Sequence, residues 1–412
     1  MAITDKKKGV WDVDQVYNKI NEGDIWTYNL LDTSKFFVWG YNNKAQLGLN
    51  ESQPTRTGYS SPTQLPGSTW DLNPSNGGTM DQTAATKTDG TLWAWGRNNA
   101  GQLGQNTINL PSNSNTVSSP VQIPGTTWNT VCMGGGGDTR CTKTDGTLWA
   151  WGSSYWGQGG QNTAQGGGQY NYSSPTQVGT DTNWALGTNK HNFMSNGLLA
   201  LKTNGTLWAW GYNGYGMLGT NQAPATRGGY SSPTQVGTDT NWSAVLGGSQ
   251  EGQTGAIKTD GTLWMWGRNE KGSLGQNSTG ASFSSPTQVP GTTWANGRFL
   301  NQSVLLTKTD GTMWTIGDNS AGQLGHNSEV NYSSPVQLPG TWHTSNFIGG
   351  YYYAVAAKSD GSLWSWGYNS QGQLAQNHTD PNRVSSPVQI PGTWGKLQST
   401  GQGTMAEMVG TP

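Results

Sequence analysis

Charge is scarce in this sequence. Aspartate, glutamate, lysine and arginine make up 11% of 412 residues, and the formal net charge is −1. That leaves no cationic field for nucleic-acid phosphates and no basic patch for an anionic membrane. No run is apolar and long enough to span a bilayer. The start, MAITDKKKGVWDVDQ, has no apolar h-region after its lysines, so no secretory signal is expected. Only two cysteines occur, Cys132 and Cys141, flanking a Met-Gly-Gly-Gly-Gly-Asp run. A bridge across a hairpin is one reading of them; two reduced thiols on adjacent strands is the favoured one. The four histidines, His191, His326, His343 and His378, are scattered without metal-ligand spacing. The glycine runs at 134–137 and 166–168 are not followed by Gly-Lys-Ser/Thr and read as tight turns rather than phosphate loops. No Ser/His/Asp set can be assembled. The expectation is no catalytic residue, no cofactor, no metal and no enzyme.

What the chain does have is tryptophan and glycine, 22 and 62 residues. One motif, clearest as TDGTLWAWGRNNAGQLG (Thr88 to Gly104), recurs with its glycine at Gly40, Gly96, Gly152, Gly211, Gly267, Gly317 and Gly367. Copies with a near-constant period mark a solenoid or propeller, whose units bury apolar surface only against neighbours. All tryptophans but Trp11, Trp26 and Trp156 lie on repeat positions. Each buried indole removes roughly 150–250 Å² from water, so they can carry a core despite a mean hydropathy of −0.65.

Asp-Gly between apolar runs is a hairpin signal. It stands at Asp89-Gly90, Asp145-Gly146, Asp260-Gly261, Asp310-Gly311 and Asp360-Gly361, with Asn204-Gly205 equivalent. In the strand that follows, Leu92 and Ala94 face one side and Trp93 and Trp95 the other. Pro-Gly pairs such as Pro124-Gly125 mark a second turn. The pattern predicts an all-β fold, a seven-bladed β-propeller of four-stranded blades over 27–412, with a short N-terminal arm over 1–26. The ends predict closure by pairing of N- and C-terminal strands. Residues 404–409 and 25–28 compete for the closing slot, and the sequence leaves both open. In the arm, Val13, Val16, Tyr17 and Ile20 fall at near-helical spacing between Trp11 and Trp26.

A DG turn, an aromatic strand ending in WG, then N-x-x-GQLG and a proline-led loop resemble the regulator of chromosome condensation repeat. GQLG stands as Gly101-Gln102-Leu103-Gly104 and Gly322-Gln323-Leu324-Gly325, and is altered to Gly372-Gln373-Leu374-Ala375 in the last copy. The resemblance covers roughly residues 30 to 409 and implies a seven-bladed propeller. The founding member is a nucleotide-exchange factor for a nuclear GTPase that binds chromatin; such members carry an extra wedge of strands and a basic tail. Here no blade carries a long insertion and the only basic run is Lys6-Lys7-Lys8. The family's usual His-Thr reads Asp138-Thr139 in the third copy and Tyr353-Ala354 in the seventh. A second resemblance lies in GVWDVDQVYNKINEGDIW, which is similar to a short segment of structural proteins of marine bacteriophages.

Two groups of site residues are expected. Trp11, Val13, Val16, Tyr17, Ile20 and Trp26 form an attachment arm. Tyr59, Tyr172, Tyr230, Phe283 and Tyr332, each before an SSP, stand beside the variable rim loops, where binding usually lives; they are either recognition aromatics or rings packed on the turn. Lys87, Lys143, Lys202, Lys258, Lys308 and Lys358 precede the turns, with the Asp or Asn two residues later as the expected ion partner and an anion-binding ring as the alternative. The leading functional expectation is a multicopy bacteriophage virion component, assembled in the host cytoplasm. The arm would contact other virion proteins and the rim a host glycan or protein. The alternatives are a GTPase exchange or interaction protein of the chromosome-condensation type, and a lectin-like carbohydrate binder.

Overall fold

A computed structural model describes residues 35–51, 57–67, 69–72, 81–108, 115–163, 170–222, 229–247, 251–379, 381–400 and 402–409. Residues Lys35–Pro412 form one compact unit. Its described strands make seven antiparallel sheets of four strands each, the predicted β-propeller. Blades 2 to 7 are sequence-continuous, residues 70–123, 128–177, 191–235, 242–289, 294–338 and 342–390. In each, the first strand lies innermost and the SSP strand outermost; in blades 3 to 7 the first strand meets the first or second strand of a neighbouring blade.

Blade 1 closes the ring. Lys35–Tyr41 pairs with Gly58–Gln64 on one edge and with Gly403–Met408 on the other, in the register Phe37↔Ala406 and Trp39↔Thr404. Trp394–Ser399 completes the blade from the inside. The C-terminal strand therefore fills the closing slot. Residues 25–28 and all six arm residues, Trp11, Val13, Val16, Tyr17, Ile20 and Trp26, lie outside the described residues.

Three devices recur from blade to blade, two of them joining neighbours. The second Trp of W-x-W-G is fully buried and donates its indole N–H to a backbone carbonyl of the preceding blade: Trp39 to Gln373, Trp95 to Gln46, Trp151 to Gln102, Trp210 to Gln158, Trp266 to Met217 and Trp366 to Gln323, at 2.8–3.1 Å. Blade 6 has Ile316 at this position, which supplies apolar packing but has no N–H to donate. The motif's Asn folds the loop onto itself, as Asn98 Oδ1 accepts from Leu103 N–H at 2.9 Å. Finally, an Asn two residues past the GQLG motif joins the second Ser of SSP on the next blade. These pairs are Ser61–Asn377, Ser119–Asn50, Ser174–Asn106, Ser232–Asn162, Ser285–Asn221, Ser334–Asn277 and Ser386–Asn327. All seven Asn sit at φ between 53° and 60°, a left-handed region that Asn tolerates better than other side chains.

The WG glycine explains the outer strand. Gly96 has φ +96, and a Cβ there would lie 2.5 Å from the Asp81 carbonyl oxygen. A β-bulge follows at this point in every blade and bends the outer strand away.

Cys132 pairs with Arg140 and Cys141 with Val131, so the two thiols project from opposite faces of one hairpin and remain free. This matches the favoured reading of the pair.

Candidate functional site: the two faces of the propeller

The turn face carries the DG and PG turns. Each turn carboxylate folds back on its own hairpin. Asp89 Oδ1 accepts from Thr91 N–H at 2.9 Å and from its hydroxyl at 2.6 Å, and Trp93 Nε1 donates to Thr91 Oγ1 at 2.9 Å. The same relay recurs from Asp145, Asp260, Asp310 and Asp360, and from Asn204. These hydrogen bonds hold the five turn aspartates below their ordinary value of 3.8.

The expected ion pairs between the six lysines and these turn residues are not what forms. Each lysine instead lies across the strand pair from the first-strand Trp, with its Nζ over two indoles. Lys87 sits 4.9 Å from the Trp70 ring and 4.3 Å from Trp93. Lys143, Lys202, Lys258, Lys308 and Lys358 repeat this with centroid distances of 3.9–5.5 Å. The reason is geometric: the carboxylate is already used inside its turn, while pairing such as Trp70↔Lys87 aims the ammonium at the ring faces. Two lysines do find carboxylates, Lys202 with Asp181 at 2.8 Å and Lys258 with Asp239 at 2.9 Å, but both come from the loop before the first strand.

The inner strands place buried polar groups near the axis. Asp138 and Arg140 form an ion pair at 2.6 Å with both side chains almost wholly buried, and Arg140 also donates to the Gln158 carbonyl. Arg298 of blade 6 reaches Asn189 beside blade 4 at 2.7 Å. His191 Nε2 lies 3.3 Å from the Thr130 carbonyl oxygen. Burial sets the chemistry of this cluster. It pushes the Cys132 thiol up to about 12 and His191 down to about 4. It lowers Arg298 to about 10 and raises Cys141. A thiol held protonated is no nucleophile, so this cluster is a plug between blades. Among the described residues, no three His, Cys, Asp or Glu gather as a metal site.

The loop face is less uniform. Over blade 7 and blade 1, a hollow is lined by Tyr41, Tyr351, Tyr352, Tyr353, Tyr368 and Arg383. Tyr351 and Tyr352 meet edge to face at 4.7 Å. Burial, then the charge of Glu251, raises the Tyr351 hydroxyl. Tyr353 is buried and donates to the Gly403 carbonyl at 2.6 Å, fastening blade 7 to the closing strand. Arg383 donates to the Ser320 carbonyl at 2.9 Å. A second hollow lies between blades 2 and 3.

The five rim aromatics are not brought together. Tyr59, Tyr172, Tyr230, Phe283 and Tyr332 each open the outer strand of a different blade, opposite the WG glycine, in the pairs Gly40↔Tyr59, Gly152↔Tyr172, Gly211↔Tyr230, Gly267↔Phe283 and Gly317↔Tyr332. None of the five is exposed, and Tyr59 is buried. Tyr172, Tyr230 and Phe283 pack against the apolar core of the blades. The residues that do line hollows were missed in the sequence. Their signal was departure from the repeat, as in the run Tyr351-Tyr352-Tyr353 and in Tyr155.

Four segments match the Regulator of chromosome condensation (RCC1) repeat. They are residues 89–139, 260–295, 310–356 and 360–399. The chain is 28% identical over 262 residues to the RCC1 domain-containing protein RUG3, mitochondrial, of Arabidopsis thaliana, covering 61% of this chain and 54% of that protein. It is 26% identical over 196 residues to the E3 ubiquitin-protein ligase HERC2 of Homo sapiens, covering 47% of this chain and 4% of that protein. The chain thus spans about half the length of the first relative and a small part of the second. Among solved structures, Prp20p from Saccharomyces cerevisiae superposes with a TM-score of 0.76 at 18% identity, covering 93% of each chain; its description concerns its binding properties to Gsp1p and histones. Human WBSCR16 gives 0.76 at 18% identity, covering 91% of this chain and 99% of that one. At this identity the likeness is one of fold.

Proposed function

We propose that this chain is an interaction propeller of the RCC1-repeat type, without enzyme activity of its own, which docks a protein partner on its loop face. The observation that carries the reading is the tyrosine-lined hollow over blades 7 and 1, with Arg383 at its edge. Tyrosine and arginine are the side chains on which interface energy concentrates. The near-zero net charge suits a partner bound by packing and hydrogen bonds rather than by a long-range field. Relatives of the same fold are described as binding proteins: Prp20p with Gsp1p and histones, and yeast RCC1 (Prp20) bound to Kap60.

The test is calorimetric titration of the purified chain with Gsp1p, histones and Kap60, alongside Tyr368→Ala and Tyr352→Ala. The expected result is binding to at least one of them, weakened about tenfold or more by each substitution. No binding to any of the three, or binding indifferent to both substitutions, overturns the reading. Nucleotide release from Gsp1p, followed in the same samples, separates plain docking from exchange.

A narrower reading, supported by the phage-like segment Gly9 to Trp26, sets the propeller over 27–412 on a virion and uses residues 1–26 as its anchor. Deleting Met1 to Gly23 should then leave a folded propeller that no longer enters particles; normal incorporation removes that reading.

A further inference from the structure

We propose that the hollow between blades 2 and 3 on the loop face is a binding site for a neutral saccharide, separate from the tyrosine hollow over blades 7 and 1. Its floor comes from two consecutive repeats. Asp81, Arg97 and Asn99 come from blade 2 and its loop; Ser153, Tyr155 and Asn171 come from blade 3.

Tyr155 is 47% exposed, an unusual state for an aromatic in a chain whose indoles are nearly all covered. Its ring is held, not loose. Trp156 meets it edge to face at 4.9 Å and 83°, and Trp156 in turn packs on Tyr212 of blade 4 at 4.7 Å. The Trp156 backbone N–H is fixed by Gln158 Oε1 at 2.8 Å. An exposed ring braced by a half-buried ring that is itself packed on another is a preorganised platform, and a rigid platform loses little entropy when a ligand ring stacks on it.

The polar side of the hollow sets the ligand's charge. Arg97 Nη1 and Asp81 Oδ2 form an ion pair at 2.7 Å, both partly exposed. The pair presents an acceptor and a donor side by side with no net charge. An anion would meet the Asp81 carboxylate and a cation the Arg97 guanidinium. A pair of neighbouring hydroxyls suits both, one donating to the carboxylate and one accepting from the guanidinium. Asn99 and Asn171 add planar amides that donate and accept on the same hollow. A polyol ring with an apolar face for Tyr155 and an equatorial rim of hydroxyls for Asp81 and Arg97 meets each demand. Gly135 to Gly137 line the same hollow without side chains and leave its mouth open.

The experiment uses the full chain on an array of neutral hexose and N-acetylhexosamine oligosaccharides, with sulfated and uronic-acid counterparts and adenosine as comparison ligands. Hits are followed by titration. The expected result is binding of neutral oligosaccharides, weakened about tenfold or more in Tyr155→Ala and in Asp81→Asn and retained in Tyr155→Phe. Unchanged thermal midpoints of the variants show that the loss is local. No neutral ligand bound at about 10 mM, binding confined to anionic sugars or to adenosine, or full binding by both variants overturns the proposal.

Discussion

The two faces of this propeller are made from the same blades and behave as opposites. On the turn face, six copies repeat one device: a carboxylate or amide closing its own turn, a hydroxyl accepting a hydrogen bond from the indole N–H, and an ammonium lying over two rings. On the loop face, each blade keeps the folded loop (Ser154 replacing the Asn in blade 3) and the Ser–Asn tie but changes what stands above them. Blade 3 has Tyr155 and Trp156, blade 5 has Arg268 between Glu251 and Glu270, and blade 7 has three successive tyrosines. The contrast separates two tasks. Groups that hold a blade's own strands together, or tie it to its neighbour, must recur, since every blade needs them; groups that meet a partner are released from the repeat.

The comparison breaks most severely at the inter-blade indoles. Trp95→Ala removes a fully buried ring and its bond to the Gln46 carbonyl. It should cost about 3–5 kcal/mol, read as a lower urea midpoint at unchanged slope. Ile316→Ala, where no such bond exists, should cost less, within about 2–5 kcal/mol.

Next comes the axis. His191 is buried neutral with its value lowered from 6.5 to about 4. Above pH 6.5 both folded and unfolded chains carry it neutral. As the pH falls from 6.5 towards 4 the unfolded chain takes the proton first, so stability is lost over that window, by up to about 3 kcal/mol. His191→Gln should flatten the dependence of the urea midpoint on pH there; an unchanged slope contradicts the assignment.

On the turn face the expected effects are smaller. Lys143→Leu keeps the stem between Trp128 and Trp149 but removes the charge over both rings. A loss of about 0.5–2 kcal/mol is expected, visible in thermal melts and little changed by salt. The turn carboxylates stabilise the fold at neutral pH and lose that contribution in acid. Held below 3.8 in the folded chain, they contribute fully above that value and lose the contribution as pH falls through their lowered folded values. Asp89→Asn, which imitates the natural Asn204, should reduce the acid sensitivity of the melting point and lower it slightly at pH 7, where the carboxylate contributes in full. On the loop face, Tyr368→Ala should move stability by less than any of these, about 0.5 kcal/mol, while weakening binding of the proposed partner about tenfold or more. A large destabilisation would place that ring with the structural repeats and erase the distinction between the faces.

Much of the architecture was legible because its signals are short-range. Asp89-Gly90 announces a hairpin within four residues, and Leu-Trp-Ala-Trp alternation announces a strand covered on both sides. The closing strand was half legible: residues 404–409 and 25–28 both fitted, and only the register Phe37↔Ala406 shows the first in place. The lysines show where reading along the chain misleads. Asp89 is two residues from Lys87, but the hairpin turns its carboxylate into Thr91 and sets Trp70, seventeen positions earlier, opposite the ammonium. The Ser–Asn ties escaped notice because both partners look like ordinary loop residues. They meet only across a blade boundary, as Ser232 meets Asn162.

Turn chemistry and apolar alternation thus dictate the number of blades and the order of strands within them, because both act between residues a few bonds apart. Which side chains share a hollow is another matter. Tyr155 stands near Asp81 because successive blades stack side by side, and Tyr41 stands near Tyr368 because the ring brings blade 7 against blade 1. Distances between residues far apart in the chain follow from that packing of blades, and no local preference encodes them.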